Sequence, residues 1–303
     1  MQLNKHIGVV APSFFIEKEQ NFANGIKYLE NMGAKITFSE HVFSKHFNTT
    51  ATAAQRANDI NMMFADKSID VIMATDGGCR AIEVLEHLDY DLIANNPKPF
   101  CGFSDITHIL LAINAKTGIH TIHGIDVLNC FGAHDTLQKE LNIQHFCNII
   151  EQCTNIPLPQ KSTPHILRSG KARGIAIGGW LEAVHNLYRT DYLAKHTDII
   201  LFLEAIDTEL NKINMMLQSM RISGLFNNVR GLIIGKLTNC EEIEYFDCSP
   251  SIDSVIMDAC RGYNFPIITN IDFGHGEEHL AIPIGATIDI NTDTNSIILD
   301  QRM

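Results

Sequence analysis

Apolar and polar positions along the first half of the chain switch between two periods. HIGVVAPS is a continuous apolar run closed by Pro and Ser, the pattern of a buried strand and its exit loop. From Glu17 to Met32 the residues Phe22, Ile26 and Leu29 recur at helical spacing, and Gly33 follows as a C-cap. AKITFSE predicts a second strand, Thr52 to Phe64 a helix, and DVIMAT a third strand closed by Gly77 and Gly78. A helix-like stretch, Ala81 to Leu88, precedes KPFCGF, a fourth strand. DITHILLAINAKTG then reads as a helix stopped at Gly118, and IHTIHG as a short fifth strand. Strands alternating with helices predict a mainly parallel sheet flanked by helices.

The period fades between Cys153 and Lys171. CTNIPLPQKSTPHILRSGK holds three of the nine prolines, so residues 156–172 read as a linker. Beyond it, GIAIGG, DIILFLEAI and VRGLIIGKL are β-rich apolar runs, with a helix from Leu210 to Gly224 between the last two. PIITNI is a further strand, and ATIDINTDTNSIILD alternates like a terminal hairpin around Asp293-Thr294-Asn295. The expected fold is α/β: an N-terminal α/β domain over residues 1–155, the linker, and a C-terminal β-rich α/β domain over 173–303.

Length agrees, since 303 residues make about two domains at roughly 150 each. Apolar residues at 45% and charged residues at 19% suit a globular chain and argue against disorder. A net charge of -12 with no long Lys/Arg run argues against a nucleic-acid partner. No apolar stretch approaches the roughly 18 residues of a membrane span. MQLNKHIGVVAPS is too short an apolar run for a signal peptide, so a cytoplasmic protein is expected, with no membrane partner. The eight cysteines form no C-x-x-C pair; they read as buried, reduced thiols rather than metal ligands.

Chemistry in open α/β sheets gathers at the C-terminal ends of strands. Ser104 stands between the fourth strand and its helix, where it is either a helix cap or a nucleophile aimed at a helix N-terminus. Ile106 replaces the second glycine of the G-x-S-x-G elbow. Gly77-Gly78 is either a plain turn or a donor loop that, with the Asp105 N–H, makes an oxyanion hole. No phosphate-binding glycine fingerprint is present, which argues against a dinucleotide-dependent dehydrogenase. Glu204 closes IILFLEAID as a solvated strand-end acid or as the partner of a histidine. His275, between two glycines, is the candidate general base, with His279 competing. The chain order Ser…Glu…His fits a nucleophile, an orienting acid and a base.

These residues sit in blocks that resemble the LD-carboxypeptidase family of serine peptidases, which includes microcin-immunity peptidases. The blocks are IGVVAPS, LDYDLIANNPKPFCGFSDIT, IAIGG, ILFLE, SGLFNNVRGLIIGK, and FGH followed by LAIPIGA. The resemblance implies Ser104 as nucleophile, His275 as base, Glu204 as its orienter, and an oxyanion hole from the Gly78 and Asp105 N–H groups, with Gly77 beside the substrate. It also implies a homodimer needing no metal or other cofactor, acting on a small peptide or an aminoacyl nucleotide. LLAINAKTG and GLIIGK look nearer the microcin-immunity branch than the murein tetrapeptide branch. Departures fall around the pocket. Thr75-Asp76 stands where the murein branch often has Arg, Ala205 replaces an acid, and Ile213-Asn214 replaces an Asp-Arg pair. Trp180 replaces Asn; it is either a base-stacking surface or an interface residue. These changes leave open a binding protein that keeps the scaffold without turnover.

Overall fold

Buried strands and the helices between them resolve into two sheets that share one seam. The computed structural model describes residues 2–133, 137–151, 153–240, 250–276 and 279–300. The first half holds β1 (His6–Val10), α1 (Glu19–Asn31), β2 (Lys35–Phe38), α2 (Ala53–Ala65), β3 (Val71–Ala74), α3 (Tyr90–Ala94), β4 (Phe100–Gly102), α4 (Thr107–Thr117), β5 (Thr121–His123) and α5 (Leu137–Ile150). The second half continues with β6 (Ile156–Pro157), β7 (His165–Arg168), β8 (Lys171–Trp180), α6 (Leu181–Leu187), β9 (Ile199–Ile206), α7 (Leu210–Ile222), β10 (Val229–Thr238) and α8 (Ile252–Ala259). Four strands close the chain: β11 (Ile267–Thr269), β12 (Ile282–Ile284), β13 (Thr287–Asn291) and β14 (Ser296–Asp300).

The first sheet has the order β12-β5-β4-β3-β1-β2. β1 to β5 are parallel, and β12 crosses from the second half to pair antiparallel with β5. The second sheet has the order β6-β14-β13-β8-β9-β10-β11-β7, parallel through β8 to β11 and antiparallel toward both edges. The protein is therefore α/β with a parallel-dominated sheet and a second, β-rich unit.

The proline-rich stretch contributes β6 and β7 to opposite edges of the second sheet. Edge positions tolerate it because a proline there owes no ladder donor; Pro157 pairs opposite Ile298. Ala81–His87 is a 3-10 helix, and α4 is entered through a 3-10 turn over Ser104–Ile106. Cys101, Cys130, Cys147 and Cys260 are buried as expected, whereas Cys79 and Cys153 are exposed; Cys248 lies outside the described residues.

α4 ties the halves together. Its residues Thr107 to Asn114 are all buried, as a helix apolar on every face must be. It packs on β4 and β5 of the first sheet and on β8 and α6 of the second half. The N-terminus of α4 thus lies where the C-terminal ends of β4, β5, β8 and β9 converge.

Candidate active site

The chain leaves β4 through an extended Phe103 and turns at Ser104, whose φ is 57°. A non-glycine residue in the left-handed region costs about 1 kcal/mol or more, and such strain gathers at functional turns. Gly77 allows the turn to close: a Cβ there would stand 2.8 Å from the Ser104 Cβ. Gly78 follows at φ 147°, with Ser13 and the Phe14 ring where a side chain would go. The Gly77 N–H donates to Asp76 Oδ1 at 2.7 Å, which also accepts from Asn129 at 3.0 Å. The Gly78 N–H has no partner among the described residues, so of the pair it is the one able to receive a ligand oxygen.

Asp105 does not cap α4. Its carboxylate reaches back across the sheet and accepts from Ser13 Oγ at 2.6 Å and the Ala81 N–H at 2.7 Å, and lies 3.1 Å from His108 Nδ1. Burial works to raise its pKa, but His108, Ser13 and Ala81 outweigh burial and hold it below the usual value. This clamp joins the turn after β4 to the Gly77-Gly78 loop. His108 Nε2 accepts from Asn186 at 3.2 Å, which fixes the Nδ1–H tautomer.

Glu204 sits on β9 opposite Trp180 of β8 and is fully buried. The reading of a solvated strand-end acid is thereby overturned: the strand runs through the core, and the carboxylate ends at the seam. His275 donates its Nδ1–H to Glu204 Oε2 at 2.6 Å. Its backbone carbonyl accepts from Thr238 Oγ1 of β10, which anchors the loop. Burial would raise the Glu204 pKa, but His123 and His275 outweigh it and hold it down at about 2. Phe103, the residue before Ser104, lies against the His275 ring with centroids 4.4 Å apart. The Ser104 turn and the His–Glu pair are thus neighbours. His279 packs edge-on to the same Phe103. Burial, and then His275, push His279 down to about 4, which makes it a weaker proton acceptor than an ordinary imidazole.

Trp180 lies half-buried between the halves. Its backbone N–H donates to Thr107 Oγ1 at 3.3 Å, and its ring meets His108 edge-on at 6.1 Å. Its indole N–H is buried without a partner among the described residues. Among the described residues, Glu40, His41 and Asp59 bring metal-donor atoms within 4.8 Å of one another. Asp59 is already spent on the His41 ring and backbone N–H, at 2.9 and 3.1 Å.

Sequence reasoning passed over two residues at the site. Ser13 closes IGVVAPS and is fully buried on Asp105. His123 ends β5, fully buried, 3.7 Å from Glu204 Oε1. Each stands at the C-terminal end of a strand of the first sheet, the signal that singled out Ser104 and Gly77.

Residues 7–124 match the N-terminal domain of LD-carboxypeptidases and residues 173–290 match the C-terminal domain. The chain belongs to the LD-carboxypeptidase family, a family of serine peptidases. It is 26% identical to the microcin C7 self-immunity protein MccF of Escherichia coli, across 95% of this chain and 90% of that one. It is 23% identical to the murein tetrapeptide carboxypeptidase of Pseudomonas aeruginosa, across 94% and 92%. The crystal structure of an MccF-like protein from Bacillus anthracis matches with a TM-score of 0.85 at 29% identity, covering 100% of this chain and 98% of that one. Wild-type MccF without ligand superposes with a TM-score of 0.91 at 23% identity, covering 100% and 97%, which shows the shared fold. MccF has also been solved with aspartyl sulfamoyl adenosine.

Proposed function

We propose that the protein is a serine amidase or carboxypeptidase working through Ser104, His275 and Glu204. The observation that carries this is the 2.6 Å bond from His275 Nδ1 to a buried, ionised Glu204, beside a serine held in a strained turn. In this reading His275 Nε2 takes the Ser104 proton as Oγ adds to the amide carbon. The oxyanion that forms accepts from the Gly78 and Asp105 N–H groups. His275⁺, stabilised by Glu204, then gives the proton to the leaving amine. The C–N bond breaks and an acyl-Ser104 ester remains. Water, deprotonated by His275, hydrolyses that ester and restores the serine.

The substrate favoured is an aminoacyl nucleotide of the microcin type, with Trp180 and Gly77 lining its site. The MccF-like match, the likeness of LLAINAKTG and GLIIGK to that branch, and the missing Arg before Gly77 support it. The second reading is murein tetrapeptide trimming, supported by the Pseudomonas relative. The chain is further read as a cytoplasmic homodimer divided into domains at residues 1–155 and 173–303. Among the described residues no helix is long and apolar enough to cross a membrane. A panel of murein tetrapeptide, a plain L-dipeptide and aspartyl sulfamoyl adenosine separates the readings. Cleavage of the nucleotide supports the first, release of D-alanine alone supports the second, and binding without turnover identifies a non-catalytic binding protein. Ser104→Ala is expected to lower kcat by about 10⁴-fold or more while the fold persists. Full turnover in that variant overturns the triad.

A further inference from the structure

Glu204 has two carboxylate oxygens, and the triad uses one. Oε2 accepts from His275, while Oε1 is buried with no hydrogen-bond partner among the described residues. An ionised carboxylate oxygen shut away from water is costly unless a donor faces it. The group facing it is His123, fully buried, with Nε2 3.7 Å from Oε1. Both ring nitrogens of His123 are themselves unpartnered among the described residues, so donating to Glu204 would break no bond seen there.

Among the described residues the pocket around His123 offers no rival. Phe103 and Phe202 meet the ring edge-on, at 5.4 and 5.7 Å between centroids. The β8 backbone at Gly179 packs against its Cδ2. The titratable groups at hand are Glu204 itself and, around Phe103, His275 and His279. A neutral imidazole protonated on Nδ1 would point its Nε2 lone pair at the carboxylate, whereas the Nε2–H tautomer points a donor at it. Active-site hydrogen bonds are commonly long without substrate and tighten in the reacting complex.

We propose that His123 is a positioning residue of the active site: its Nε2–H holds Oε1 of Glu204, so that the carboxylate keeps Oε2 on His275 through the reaction. His123 touches no reacting atom and acts through Glu204. The proposal rests on the triad reading and adds to it a fourth residue.

The test uses a fluorophosphonate, which needs no identified substrate, and reads the rate at which Ser104 is labelled. His123→Phe, which removes the donor and keeps the ring, is expected to slow labelling about 10- to 100-fold. Its acid limb should move to higher pH, because a Glu204 anion without that donor shares a proton with His275 more readily. His123→Gln, whose amide reaches Oε1, should recover most of the rate; the shorter Asn should not. In a Glu204→Gln background, His123→Phe should cost less than about twofold more, since the residue it acts through has already changed. Equal rates for Gln and Asn, a wild-type rate for Phe, or losses that multiply in the double variant would each overturn the proposal. If His123→Phe fails to fold by circular dichroism, the Gln against Asn comparison decides alone. Failure of the triad reading is distinguishable, since it appears as no labelling of Ser104 in the wild-type protein.

Discussion

In the proposed triad the turn at Ser104 and the strand at Glu204 are the two ends of one proton path, and they are held in opposite ways. Ser104 is partly exposed, strained at φ 57°, and pinned by polar bonds: Asp105 to Ser13 and Ala81 on one side, a close glycine on the other. Glu204 is fully buried in an apolar strand and is held ionised by the histidines beside it. A nucleophile must meet substrate and water, so its position comes from strain and short polar clamps. An orienting acid meets neither, so burial can fix it, provided donors cover its charge.

Breaking the buried end should have the largest effect. Glu204→Gln keeps the shape but removes the charge that stabilises His275⁺, and is expected to slow turnover about a thousandfold to ten-thousandfold. A kcat within tenfold of wild type would mean that Glu204 only fills space. At the exposed end, Asp105→Ala leaves Ser13 Oγ and the Ala81 N–H without their buried acceptor, while His108 Nδ1 keeps the Asp105 backbone carbonyl at 2.9 Å. It should destabilise the protein by about 2–4 kcal/mol in urea unfolding, as well as slowing Ser104 labelling. Loss of activity with an unchanged unfolding midpoint would show that the clamp is not what holds the turn.

Acid sharpens the contrast. Both carboxyls titrate lower folded than unfolded, so the stability they contribute is present above their unfolded pKa values and is lost as pH falls through the folded ones. For Glu204 that window runs from about 4.5 down to about 2. Urea midpoints taken down that range should fall more steeply in wild-type protein than in Glu204→Gln; parallel curves would contradict the ionised, buried carboxylate. The smallest effect is expected away from both ends. Gly118 has φ 75° with nothing near its missing side chain, so Gly118→Ala should cost about 1 kcal/mol and leave labelling unchanged.

The alternation in the first half was readable because β1, β3, β4 and β5 are almost wholly buried and two of its long helices, α1 and α4, are followed by a glycine, Gly33 and Gly118. What escaped was set by tertiary context. β12 is three residues, IPI, whose pairing with β5 depends on a crossover that no local pattern encodes. α5 buries residues around most of its surface, including Asn142, His145 and Phe146, so no single stripe marks it. At the site, Ser104 and His275 were legible from strand ends and flanking glycines. The Asp105 N–H was legible at the helix start, but the partners of its carboxylate, Ser13 and Ala81, lie 92 and 24 residues away in the chain. His123 was illegible because its meaning lies in the carboxylate it faces.

In the proposed mechanism Ser104 is made nucleophilic by a histidine and a glutamate from the other half of the chain. The most direct measurement exposes wild-type protein and His275→Ala to a fluorophosphonate and locates the adduct by peptide mass spectrometry. The account predicts one adduct, on Ser104, that forms in the wild type and is lost when His275 is removed. An adduct on another residue, or equal labelling of Ser104 in both proteins, would contradict it.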